Sequence, residues 1–278
     1  MKRPLSILFA VLLLAVISND LFAQDKTEIK LQNEALISKL LDRQSGFGMF
    51  RDNYIITGIP INQQINQTNA DIKFQVSIRQ RLLSNVMPFG SFLMLTYTQK
   101  SFWNFYEESH PFADNNYNPG LSLGKPIMVN NQLKGMALFA VEHESNGKDS
   151  TYSRGHNYFV LTGIYFFNQR FSVQGKLWAG FLAPENKDLY VYRGNSSIAL
   201  NYSSLNNKFW ASVVVNPRKR IGDVNTQVEL SLRLGKRTNQ YLFLQWYNGY
   251  GESLLDYNRY ISMLRLGICL KPPFRNLY

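Results

Sequence analysis

Residues 224–234 read Val-Asn-Thr-Gln-Val-Glu-Leu-Ser-Leu-Arg-Leu, with an apolar or methyl-bearing side chain at every second position and a polar one between. Side chains two apart on a strand share a face, so the segment is a strand with one dry side and one wet side. Ile72-Lys73-Phe74-Gln75-Val76-Ser77-Ile78-Arg79 repeats the pattern. From residue 48 onward such stretches recur, separated by turn residues, at the length a tilted strand needs to cross a bilayer, roughly ten residues. They fall near 48–60, 71–82, 88–101, 118–128, 133–145, 155–167, 171–183, 190–202, 207–217, 223–234, 240–249 and 258–270. About twelve strands is an even number, as bacterial barrels require. The expected fold is all-β, an antiparallel transmembrane β-barrel over residues 48–278. Short turns such as 168–170 and 235–239 fall on one side, and longer connections near 102–117, 146–154 and 250–257 on the other.

Alternation alone also suits a soluble sandwich. The N-terminus tips the balance. Lys2 and Arg3 precede an apolar run from Leu5 to Ile17, and Asp20 to Ala23 resembles a cleavage region. Residues 1–23 therefore read as a signal peptide, and no later stretch is long and apolar enough for a membrane helix. Export without a helical anchor, with 16 Tyr and 19 Phe in the chain, favours a barrel in the outer membrane of a Gram-negative bacterium. Residues 24–47, with Ile37, Leu40 and Leu41 weakly amphipathic, read as an N-terminal extension. The net charge of +11 is scattered, which argues against nucleic-acid binding. The single Cys269 excludes an intrachain disulfide and a cysteine zinc site.

Chemistry concentrates on one hairpin. In Val141-Glu142-His143-Glu144-Ser145-Asn146-Gly147-Lys148, His143 and Ser145 share the face of Val141 and Phe139, which looks towards lipid. A polar pair there is costly unless the groups satisfy each other. A hydroxyl bonded to an imidazole does so, and is also how a serine nucleophile is activated. Asn157 continues the apolar row of Phe159 and Leu161 on the next strand. A hairpin through residues 147–154 brings it alongside His143, where its oxygen can accept the imidazole Nδ1–H. Spacing alone leaves open that all three are ordinary polar residues at a barrel rim.

His143-Glu144-Ser145-Asn146-Gly147, then Ser153-Arg154 and Asn157, resembles the signature of the bacterial outer membrane phospholipase A family. Tyr97-Thr98-Gln99-Lys100-Ser101, Glu107-Glu108-Ser109 before Pro111-Phe112, Asn116-Tyr117 with Pro119, and residues 249–258 match further family motifs in order. The resemblance implies a twelve-stranded barrel that hydrolyses acyl esters of phospholipids, depends on Ca2+ and is active as a homodimer. It makes Ser145 the nucleophile, His143 the general base and Asn157 the residue that orients it. The Ser145 backbone N–H and a calcium-bound water would form the oxyanion hole. The implied calcium ligands are the Ser153 hydroxyl, the Lys148 carbonyl and, from the partner subunit, the Ser109 carbonyl. Gln99 matches a polar residue of the family's dimer interface. Lys148 stands where the family has Arg, a change a carbonyl ligand tolerates, and His110 replaces a small residue.

The alternative is a non-catalytic barrel, porin-like or degenerate; a secreted sandwich is a third reading. Glu142 and Glu144 point into the lumen by parity and read as solvated interior charges, and His156 reads as a lumen or rim residue. Gly249 and Gly251 shape a loop. Residues 217–220, Pro-Arg-Lys-Arg, read as a solvated basic loop.

Overall fold

The computed structural model describes residues 35–39, 41, 45–83, 87–220, 222–236 and 238–272. The segment read as a signal peptide lies outside the described residues. The chain builds β1 (Phe47–Met49), β2 (Asn53–Pro60), β3 (Asp71–Arg81), β4 (Phe92–Trp103), β5 (Phe112–Val129), β6 (Gln132–Ser145), β7 (Gly155–Phe166), β8 (Phe171–Leu182), β9 (Ser196–Ser203), β10 (Phe209–Pro217), β11 (Val224–Arg233), β12 (Gln240–Gly249) and β13 (Ile261–Leu270). β1 and β2 lie along one edge of β3, through Met49↔Ile78 and Tyr54↔Gln75, so they are one barrel strand broken at residues 50–52. From β2 onward every strand pairs antiparallel with its neighbours in sequence, and β13 pairs back onto β2 through Cys269↔Tyr54. The result is a closed twelve-stranded antiparallel barrel without a free edge.

The strands expected from alternation are all present, with two corrections. Residues 190–195 were expected to open a strand. Leu189–Arg193 is instead a short helix, and β9 starts at Ser196. The Leu-Tyr-Val-Tyr run mimics strand alternation, but Leu189 is fully buried against Leu254 and Tyr257 of another loop, a contact no local pattern reveals. The connection expected at 102–117 is only residues 104–111, because β5 begins at Phe112. The hairpin at the other end of β5 turns on Asn130 and Asn131, both with positive φ (49° and 59°), the conformation that matches strand twist in a two-residue turn.

Alternation partitions the wall. Ile55, Leu95, Phe139, Phe159, Leu200 and Leu266 are exposed on the outside, forming the apolar belt a bilayer would cover. The inner face is buried and polar. Lys73 Nζ donates to Gln245 Oε1 and Glu252 Oε1, both at 2.8 Å. Arg265 grips Asp71 (2.8 and 2.7 Å) and Glu252 (2.8 and 3.1 Å). Gln227 and Gln245 both donate to Glu229 Oε1, at 2.7 and 3.0 Å. The lumen is thus crossed by ion pairs, the opposite of the open channel that a porin-like alternative needs. At the short-turn end Ile37 and Leu41, from the expected N-terminal extension, pack inside against Phe50, Phe92, Met94, Leu138 and Ile164. Arg81 Nη1 donates to the Leu41 carbonyl at 2.9 Å.

Burial by itself would raise the pKa of Glu252, but Arg265 and Lys73 overcome it and hold the carboxyl at about 2. A depressed carboxylate pKa contributes stability above the unfolded value of 4.5 and loses it as pH falls towards 2. Arg265→Met strands Asp71 and Glu252 without their shared cation, and is expected to cost on the order of 3–5 kcal/mol. Urea unfolding in lipid vesicles checks this. An unchanged midpoint would show the network to be dispensable.

Candidate active site

The β6–β7 hairpin carries the candidate residues. Cross-strand register pairs His143 with Asn157, Glu144 with His156 and Ser145 with Gly155. His143 and Asn157 face outward and are exposed, and His143 Nδ1 lies 2.8 Å from Asn157 Oδ1. An amide oxygen only accepts, so this bond puts the proton on Nδ1 and leaves Nε2 bare. Ser145 ends β6 two residues further along the same outward row. Among the described residues its hydroxyl has no hydrogen bond, to His143 or otherwise. It stands beside the imidazole in sequence and facing, and free to rotate.

The wall beneath this row is built by an exception to strand chemistry. Register places Pro119 of β5 opposite His143, between the pairs Tyr117↔Ser145 and Gly120↔Glu142. Proline has no N–H for the ladder. Asn118 Nδ2 donates instead to the His143 carbonyl at 2.9 Å, and also contacts Tyr158 Oη at 3.0 Å. Just past Ser145, Gly147 turns the chain with φ +66°, and a Cβ there would lie 2.9 Å from Tyr117 Cε2. A groove of about 540 Å³ runs down the outer wall from His143 and Asn157, floored by Val141, Pro119, Tyr97, Leu95 and Ile78.

Residues 146–154 are braced by Asn146, which accepts from Arg154 N (2.9 Å) and Lys148 N (3.4 Å) and donates to the Tyr152 carbonyl (2.9 Å). Lys148 Nζ is drawn to the Ala113 carbonyl at 3.1 Å, and Arg154 Nη1 caps the carbonyls of Thr151 (2.8 Å) and Ser153 (2.7 Å). Among the described residues the Ser153 hydroxyl has no partner. No group of three or more His, Cys, Asp or Glu able to hold a metal occurs among them. The Ser153 hydroxyl and the backbone carbonyls of this loop are oxygen donors, the kind a hard ion such as calcium takes. Ser109 lies apart from these, in the 104–111 loop, where Trp103 Nε1 bonds to the His110 carbonyl (2.8 Å) and His110 N to the Glu107 carbonyl (3.0 Å). His110 takes the positive φ of 45° that a small residue would take more easily.

The phospholipase A1 family model matches residues 50–270, which span the barrel and this hairpin. The chain belongs to the phospholipase A1 family. Phospholipase A1 of Salmonella typhimurium is 31% identical over 220 residues, 77% of this chain and 74% of that protein. The Escherichia coli K12 phospholipase A1 is 31% identical over 216 residues, 75% of this chain and 72% of that protein. Among solved structures, outer membrane phospholipase A from Escherichia coli superposes with a TM-score of 0.71 at 26% identity, covering 83% of this chain and all of that one. The Salmonella typhi outer membrane phospholipase dimer with bound calcium gives 0.73 at 26% identity, covering 87% and 99%.

Several surrounding residues escaped sequence reasoning. Glu142 and Glu144, expected as solvated interior charges, do face inward but are buried and engaged. Tyr158 Oη donates to Glu142 at 2.8 Å, while Arg193 and His156 hold Glu144. Arg193, Asn118 and Asn186 were not singled out, because their partners are 25–49 residues away in sequence. Gln99, which the family match places at a dimer interface and which reads equally as a lipid-facing residue near the rim, accepts from Tyr97 Oη (3.0 Å) and donates to Ser101 Oγ (3.1 Å). The basic loop at 217–220 is partly neutralised, with Arg218 bound to Asp223 and lying over Tyr250.

Proposed function

We propose that this chain is a calcium-dependent phospholipase of the outer membrane that hydrolyses phospholipid acyl esters and works as a homodimer. The observation that carries the reading is the outward-facing His143–Asn157 hydrogen bond of 2.8 Å, with Ser145 next in the same row. A soluble hydrolase buries such a pair in a cleft, whereas here it opens directly on the apolar belt, where an acyl ester in the bilayer can reach it. The groove below offers apolar wall for the acyl chain.

In this mechanism Ser145 Oγ attacks the ester carbonyl while His143 Nε2 takes its proton. The imidazolium returns that proton to the departing alcohol of the lysolipid. His143 then deprotonates a water that cleaves the acyl-serine. Asn157 keeps the Nδ1 tautomer and ring orientation without placing a carboxylate beside hydrocarbon. The Ser145 N–H contributes to the oxyanion hole. The Ser153 hydroxyl, the Lys148 carbonyl and the partner subunit's Ser109 carbonyl would hold calcium, whose positive charge would stabilise the oxyanion.

The direct test is hydrolysis of phospholipid in detergent micelles by the purified, heat-modifiable barrel from the outer-membrane fraction. Release of fatty acid and lysolipid is expected. No turnover at any calcium concentration, or recovery of the protein in the aqueous fraction without detergent, would sink the reading. Asn157→Ala keeps nucleophile and base but frees the ring, so kcat should fall on the order of 10- to 100-fold, with measurable activity remaining. An Asn157→Ala rate equal to wild type would remove Asn157 from the mechanism.

A further inference from the structure

The strand residue between His143 and Ser145 is Glu144, and its side chain passes through the wall into the lumen, where it is 2% exposed. There it meets a clamp. Arg193 Nη1 and Nη2 donate to Glu144 Oε2 and Oε1 at 2.6 and 3.2 Å, and His156 Nε2 lies 3.1 Å from Oε2. Arg193 is the last residue of the short helix Leu189–Arg193 in the loop joining β8 to β9. That helix is itself fixed. Asn225 Nδ2 donates to the Tyr192 carbonyl at 2.8 Å, Tyr257 Oη donates to Asp188, and Gly251 packs so closely that a Cβ there would lie 2.9 Å from Arg193 Cβ. The same loop also holds the strand opposite Ser145. Ala183 N donates to the Gly155 carbonyl at 2.9 Å, and Gly155 N donates to Asn186 Oδ1 at 3.2 Å.

We propose that Glu144 and Arg193 are positioning residues: their two-point ion pair inside the barrel sets the strand geometry that aligns Ser145 and His143 on the outside. The proposal rests on the phospholipase reading above. The physical case is one of adjacency. The outer pair His143↔Asn157 and the inner pair Glu144↔His156 are consecutive rungs of one ladder. A change in twist at the inner rung therefore moves the outer one. The Ser145 hydroxyl has no hydrogen bond among the described residues, so its placement depends on the backbone, which pairs with Gly155 and Tyr117. The backbone at 144 is tied through its side chain to a helix, by Arg193, as well as to β7, by His156. A bidentate guanidinium–carboxylate contact fixes direction as well as distance, which a lysine in place of Arg193 would not do.

The test uses full-length barrel in detergent with calcium, with folding verified by heat-modifiable migration. Arg193→Met, Glu144→Gln, the double variant and Arg193→Lys are compared with wild type for kcat, KM and the rate of Ser145 sulfonylation by a long-chain sulfonyl fluoride, which forms the serine sulfonate ester and releases fluoride. A misplacement of about an ångström costs on the order of 100-fold. Both single variants should lose 10- to 100-fold in kcat and in sulfonylation rate with KM little changed, and Arg193→Lys should recover part of the loss. Because the two residues act through one contact, the double variant should be no slower than the slower single. Wild-type kcat in folded Arg193→Met, or losses that multiply in the double variant, would overturn the proposal. If Ser145→Ala were as active as wild type, the phospholipase mechanism itself would have failed, an outcome distinct from either.

Discussion

Ser145→Ala is expected to lower phospholipid hydrolysis on the order of 10⁴-fold or more, with the barrel intact. The substitution removes the only atom proposed to bond covalently to the acyl group. What remains is substrate binding and the charge near the oxyanion, which alone give only a small part of the rate in hydrolases of this kind. No folding penalty is expected, because Ser145 is partly exposed at the end of β6 and its hydroxyl bonds to none of the described residues. His143→Ala should be nearly as damaging. The two changes should not multiply, since nucleophile and base act as one unit. Turnover in micelles, measured alongside heat-modifiable migration to verify folding, decides the matter. Wild-type rates in folded Ser145→Ala protein would mean that another residue is the nucleophile.

Removing calcium is expected to have the second largest effect. The two candidate ligands on this chain, the Ser153 hydroxyl and the Lys148 carbonyl, lie in one loop braced by Asn146 and Arg154. They cannot fill the coordination shell of a hard cation that takes six to eight oxygens. If the partner subunit's Ser109 carbonyl adds a third, with water taking the remaining positions, binding and dimerisation become one equilibrium, and calcium would raise the dimer fraction by mass action. Chelation should remove charge stabilisation of the oxyanion as well, an effect on the order of 100- to 1000-fold. Ser153→Ala should raise the calcium needed for half-maximal activity without unfolding a loop that its hydroxyl does not support. Calcium titrations of activity and of cross-linking yield should therefore run in parallel, with the Ser153→Ala curves displaced to higher calcium. Full activity of a wholly monomeric protein in excess chelator would refute the bridge and leave the triad untouched.

How much of this was legible beforehand follows from the range of the forces involved. Alternation is local, so strands such as β11 and β12 could be read almost to the residue. The outward facing of His143 and the inward facing of Glu144 followed from parity alone. The hairpin register that sets Asn157 against His143 followed from two strands and one loop. The interior did not. Arg193 meets Glu144 across 49 residues, and Lys73 meets Glu252 across 179. A polar inner face tells only that side chains point inward, not which of them pair. The same limit hid the Leu189–Arg193 helix, where Leu189 is buried by Leu254 and Tyr257 of a loop distant in sequence. Pro119 was visible as part of a motif. Its consequence, a missing N–H replaced by Asn118, needed the neighbouring strand.

The most direct test of a lipid-facing Ser145 nucleophile is to trap it. The folded wild-type barrel, in micelles with calcium, is treated with a long-chain alkylsulfonyl fluoride and digested, and the modified residue is located by mass spectrometry. The account predicts a single adduct, on Ser145, formed in step with loss of activity, slowed by chelator and abolished by His143→Ala. Inactivation with the adduct on any other residue, or complete inactivation with Ser145 unmodified, would contradict it.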